Sequence, residues 1–156
     1  MIDTARIIVE KLKSRNESIA IAESLTGGGL SSALTEVPGT SHVFLGSIVA
    51  YTSDVKVREL GVSTDSISEF GVVSEEVALQ MAEGIRRKFG SDWSIATTGV
   101  AGPGPSQGIA AGTVWIAILG PAHRESLVLS LDGERDEVRR GAVESALATL
   151  ARILGG

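Results

Sequence analysis

Apolar positions along the chain alternate between a helical and an extended period. Residues 4–15 set Ile7, Ile8 and Leu12 at helical spacing, with Asp3 or Thr4 able to cap the start. Ser18-Ile19-Ala20-Ile21-Ala22 is a continuous apolar run of the length of a buried strand. A glycine-rich turn follows, and Leu30, Ala33, Leu34 and Val37 then return to helical spacing until Pro38-Gly39 ends the helix. Residues 44–51 read as a second strand, and residues 54–60 as a short helix closed by Gly61. Ser74 caps a further helix whose first turn holds Glu75 and Glu76, suited to the helix dipole. Its apolar stripe is Val77, Ala78, Met81, Ala82, Ile85 and Phe89. Residues 93–98 form a third strand running into the loop 99–104. Residues 112–119 and 126–131 are strands joined through Gly120-Pro121-Ala122-His123, a connection short enough to make them antiparallel. A final helix, about 136–154, buries Val138, Ala142, Ala146, Leu150 and Ile153.

Strands alternate with helices until this late hairpin. That order predicts an α/β fold: a three-layer α/β/α sandwich around a mixed, largely parallel sheet, ending in an antiparallel hairpin. No repeat, low-complexity tract or linker interrupts the 156 residues, so residues 1–156 read as a single domain. Hydrophobic residues at 43% against 21% charged exclude a disordered chain. With two Trp, one Tyr and three Phe, the core must be built from aliphatic side chains.

Fourteen basic against 19 acidic residues give a net charge of −5, which argues against a nucleic-acid surface. No apolar run reaches the ~20 residues of a membrane helix, and the N-terminus lacks a basic region followed by an apolar stretch. The expected setting is the cytoplasm, with neither membrane nor nucleic acid as partner. The chain has no cysteine, so disulfides, thiolate metal sites and thiol nucleophiles are excluded. Its two histidines, His42 and His123, cannot make a three-histidine metal site, and no metal or other cofactor is expected. Serine, threonine, lysine, tyrosine and carboxylates remain to carry chemistry.

Two glycine-rich loops, Thr26–Gly29 and Gly99–Gly104, follow predicted strands, at the edge where open α/β sheets bind ligands. The first also opens a helix, whose free N–H groups suit a phosphate or carboxylate; a simple tight turn explains it equally well. A second group is Ser41, Tyr51 and Lys56. A lysine with a depressed pKa beside a tyrosine and a serine can act as the base that a serine nucleophile needs. His42 is a poor base for Ser41, because neighbouring side chains point apart. His123 reads as a solvated turn residue. Arg135 can clamp an anion or form a surface ion pair, and Arg139 and Arg140 read as a solvated helix face.

Ala22-Glu23-Ser24-Leu25-Thr26-Gly27-Gly28 resembles a signature of the CinA C-terminal domain family. The likeness continues in order through Val37-Pro38-Gly39-Thr40-Ser41, Tyr51-Thr52 with Lys56, Leu60-Gly61-Val62, Gly71 with Val73-Ser74-Glu75 and Val77-Ala78, Thr98-Gly99 with Ala101-Gly102-Pro103, Gly112-Thr113-Val114-Trp115, and Gly133 with Arg135 and Val138-Arg139. The resemblance implies nicotinamide mononucleotide deamidase activity, which hydrolyses the carboxamide to nicotinic acid mononucleotide and ammonia in pyridine nucleotide recycling. It maps a nucleophilic serine onto Ser41, with Tyr51 and Lys56 assisting. It also maps a threonine onto Thr98 and an arginine onto Arg135, and the two glycine-rich loops add Thr26, Gly27, Gly28, Gly99 and Gly102 as candidate substrate contacts. It implies a small nucleotide as substrate, and a homo-oligomer, with a dimer favoured.

Glu23 and Ser24 read as residues that fix the turn; whether Ser24 or Thr26 touches ligand stays open. Relatives usually carry a charged Pro-Glu-Lys-Pro-like segment where this chain has the uncharged stretch 104–111. That departure keeps two alternatives in view: a non-catalytic nucleotide-binding or regulatory module, and an amidase for another small substrate.

Overall fold

The computed structural model describes residues 1–155. Helix α1 (Ile2–Arg15) leads into strand β1 (Ile19–Glu23), followed by α2 (Gly29–Thr35), a 3₁₀ turn at Thr40–His42, and β2 (Phe44–Val49). Three helices come next, α3 (Ser53–Leu60), α4 (Thr64–Phe70) and α5 (Glu75–Phe89). The chain closes with β3 (Trp93–Gly99), β4 (Thr113–Gly120), β5 (His123–Ser130) and α6 (Arg135–Ile153).

The strands form one mixed sheet in the order β2-β1-β3-β4-β5. β1 pairs in parallel with both β2 and β3, while β3–β4 and β4–β5 are antiparallel. The parallel part is thus confined to β2, β1 and β3. β1 sits between its neighbours with Ile19 and Ile21 on one face and Ala20 and Ala22 on the other. The larger side chains, with Ile95, Ile116 and Ile118, meet α1, α2 and α6. The alanines, with Ala96 and Ala117, let α5 lie close to the opposite face. α5 also packs closely on the end of α3: an added Cβ at Gly84 would stand 1.9 Å from the Leu60 carbonyl oxygen.

Some expectations change at this level. α1 begins at Ile2 with Met1 as its N-cap, rather than Asp3 or Thr4, and Ile7 is exposed while Ala5, Ile8, Val9 and Leu12 are buried. α4, with little apolar periodicity of its own, was not expected. Ser63 caps it by accepting from the Ser66 N–H. β5 starts at His123, so this residue is not in the turn; its ring lies 5.9 Å from that of Trp93 and hydrogen-bonds Glu125. No helix among the described residues is long and apolar enough to cross a membrane.

Candidate active site

β1 and β3 are adjacent and parallel, and both end at the same edge of the sheet. Beyond that edge lies a cleft of about 440 Å³. Its lining comes from Ser24 and Leu25 after β1, Tyr51–Ser53 after β2, the segment 70–73 before α5, the loop 99–107 after β3, and Arg135 at the start of α6. Carboxyl ends of neighbouring parallel strands are where open α/β sheets leave such a crevice.

Lys56 lies under this cleft, fully buried. Thr52 caps α3 by accepting from the Val55 N–H, which places Lys56 in the first turn. Helical side chains lean towards the N-terminus of their helix. Lys56 accordingly reaches back to the segment before α3: its Nζ donates to the carbonyls of Ala50 at 2.8 Å and Tyr51 at 3.3 Å. Its third partner is Ser24 Oγ at 2.9 Å. No carboxylate lies within ion-pair distance of it among the described residues. Loss of hydration on burial lowers its pKa from 10.5 to about 8. In the neutral amine, the two carbonyls take both protons and the lone pair faces Ser24 Oγ. That arrangement can accept the hydroxyl proton of Ser24.

The structure does not bring Ser41 to Lys56. Ser41 is exposed in the 3₁₀ turn before β2, whereas Lys56 follows the other end of that strand. Six residues of extended chain at ~3.3 Å each separate the two ends, more than about 15 Å, and no rotamer closes that gap. Tyr51 also stands differently from the expected relay. Its carbonyl meets Lys56, but its phenol accepts from Arg135 Nη2 at 2.9 Å, at the mouth of the cleft.

The first glycine-rich loop is not an open anion site. The buried Glu23 carboxylate accepts from the N–H groups of Gly28 at 3.2 Å, Leu30 at 2.9 Å and Ser31 at 3.0 Å, and from Ser31 Oγ–H at 2.6 Å. The start of α2 is therefore filled from within. Thr26 is buried, its hydroxyl bonded to that of Thr97, and Thr26, Gly27 and Gly28 do not line the cleft. Thr98 is buried as well. It donates to the Val72 carbonyl, fastening the 70–73 segment as one wall. Gly99, Gly102 and Arg135 do line the cleft, and Arg135 also donates to the Gly102 carbonyl. Arg139 is not on a solvated face: it donates to the carbonyls of Leu25 at 3.0 Å and Thr26 at 3.3 Å.

The sequence alone reads Ser24 as a residue that fixes the turn, whereas the structure sets Lys56 against its hydroxyl. The usable signal was its position: it immediately follows a buried strand and opens a tight turn into a helix, where sharp turns present nucleophiles.

The family model described as CinA C-terminal domain matches residues 2–154. A CinA-like protein of Fervidobacterium nodosum is 41% identical over 147 residues, covering 94% of this chain and 36% of that protein. A CinA-like protein of Synechococcus is 45% identical over 150 residues, covering 94% of this chain and 36% of that protein. The chain thus spans little more than a third of the length of these curated relatives. The crystal structure of a competence-damaged protein (CinA) superfamily protein from Escherichia coli matches with a TM-score of 0.96 at 34% identity, covering 98% of this chain and 90% of that one. Competence/damage inducible protein CihA from Agrobacterium tumefaciens matches with a TM-score of 0.93 at 35% identity, covering 99% and 95%.

Proposed function

Since the chain belongs to the CinA C-terminal domain family, we propose that it is a serine amidase that deamidates nicotinamide mononucleotide, with Ser24 as nucleophile and Lys56 as base. The observation that carries this reading is the buried, acid-free Lys56 Nζ at 2.9 Å from Ser24 Oγ. Lys56 takes the hydroxyl proton as Ser24 Oγ attacks the carboxamide carbon. The resulting oxyanion is held by backbone N–H groups, and the Leu25 amide, next after the nucleophile, is the first choice. Lys56 returns its proton to the leaving nitrogen, and ammonia departs. Water, deprotonated by Lys56, then attacks the ester carbon, which releases the carboxylic acid and restores Ser24. The net change is one amide and one water giving one acid and one ammonia.

The character of the cleft supports an anionic substrate. Arg135 is the only charged side chain lining it among the described residues, and no carboxylate does so. The guanidinium fork suits a phosphate. Tyr51 beside Arg135 offers an aromatic face for a planar ring.

A coupled ammonia assay on the purified protein tests the reading. Stoichiometric ammonia and nicotinic acid mononucleotide are expected from nicotinamide mononucleotide. Binding of the nucleotide without ammonia release would replace the enzyme with a binding module. Release only from other amides would redirect the substrate assignment.

A further inference from the structure

Arg139 and Arg135 lie one helical turn apart on α6 and reach different loops. Arg135 holds the loop after β3 and the Tyr51 phenol; Arg139 holds the loop after β1. The guanidinium of Arg139 is partly buried, has no carboxylate partner among the described residues, and is spent on two backbone carbonyls. Those carbonyls belong to Leu25 and Thr26, the two residues that follow Ser24. Gly27 makes room for the contact: an added Cβ would lie 3.1 Å from Arg139 Nη2.

A trans peptide points its C=O and N–H in opposite directions. Arg139 on the Leu25 carbonyl therefore turns the Thr26 N–H the other way. The Ser24 carbonyl is likewise taken, by the Gly27 N–H at 3.0 Å, which turns the Leu25 N–H away from it. Among the described residues, neither the Leu25 nor the Thr26 N–H donates a hydrogen bond, and Leu25 lines the cleft. The cation on the Thr26 carbonyl also polarises the Gly27 N–H of the same peptide, which donates to the Ser24 carbonyl and so strengthens the Leu25 N–H of that next peptide as a donor.

We propose that Arg139 is a positioning residue: by holding the Thr26 carbonyl it fixes the Gly27 N–H on the Ser24 carbonyl, and with it the Leu25 N–H, so that this amide receives the oxyanion formed in the reaction. This role rests on the serine-amidase reading above. It predicts an effect on the transition state alone, because the oxyanion is absent from bound substrate.

The test is steady-state deamidation of nicotinamide mononucleotide by wild type, Arg139→Ala and Arg139→Lys, with thermal melts on each. Arg139→Ala is expected to lose about 30-fold or more in kcat while KM moves less than about threefold. Its ascending pH limb, which reports Lys56, stays in position. Guanidinium chloride at about 20 mM restores part of kcat, and urea at the same concentration does not. Arg139→Lys keeps the charge but not the fork and loses about 10-fold in kcat; it is read alone if the alanine variant does not fold. A folded variant with kcat within about twofold of wild type, or a loss confined to KM, overturns the proposal. So does failure of both variants to fold, which would make Arg139 a folding residue. An inactive wild type fails differently: it removes the amidase reading and the positioning role with it.

Discussion

The two glycine-rich loops look alike in sequence and do different work in the fold. In Thr26–Gly29 every N–H but that of Thr26 is engaged within the protein: Gly27 and Gly29 donate to carbonyls of the turn, Glu23 takes Gly28 with the amides at the start of α2, and Arg139 takes the carbonyls of Leu25 and Thr26. In Gly99–Gly104 the Gly102 carbonyl is held by Arg135, but the N–H groups of Ala101, Gly102 and Gly104 donate to no protein acceptor among the described residues. This second loop forms a wall of the cleft. Glycine density therefore marks where the backbone must bend. Whether such a loop receives a ligand depends on which groups already occupy its amides. In the proposed reaction the first loop serves indirectly, by holding Ser24, and the second faces the substrate.

This division can be broken from either side. The largest effect is expected from Lys56→Met, which leaves the Ser24 turn in place but removes its base. Its kcat should fall by roughly 10³-fold or more in the ammonia assay. In the unaltered protein Lys56 must be neutral to act, so the rate rises with pH through about 8 and levels off above it. The same lowered pKa makes the unfolded chain bind more protons between about 8 and 10.5. The stability of wild type relative to Lys56→Met should accordingly rise with pH across that window, as measured by paired denaturant titrations.

Next comes Glu23→Ala, which empties the inward-facing loop of its internal acceptor. Three N–H groups and one hydroxyl lose their partner in a buried place. Stability should fall by roughly 3 kcal/mol or more in urea unfolding. Smaller again is Arg135→Ala, on the outward-facing side. It should raise KM by about 10-fold and leave kcat within a fewfold. Its unfolding midpoint should barely move, since Arg135 is exposed.

Much of the fold was legible in the sequence, because Ile-Ala-Ile-Ala in β1 and the stripe Val77–Ile85 in α5 carry their periods openly. α4 was not, since its contacts with α5 are set by tertiary packing rather than its own pattern. The pairing of Lys56 with the strand rim was legible in part: its helix and the Tyr51 rim were both read correctly. Its partner was not. Ser41 precedes β2 and Ser24 follows β1, so the two serines sit at opposite ends of a pair of parallel strands. The rule that ligands gather at carboxyl ends of strands already favoured Ser24. Glycine-rich turns usually recruit serine for shape, and that expectation hid it. The contacts of Arg139 were hidden for a different reason: it reads as part of a solvated helix face, as most helical arginines are, although it falls in a block of the family resemblance.

The most direct measurement compares Ser24→Ala with Ser41→Ala in ammonia release from nicotinamide mononucleotide, both checked for an unchanged thermal melt. The account predicts a loss of roughly 10³-fold or more for Ser24→Ala and a rate within about twofold of wild type for Ser41→Ala. A Ser24→Ala protein that releases ammonia at the wild-type rate would contradict it.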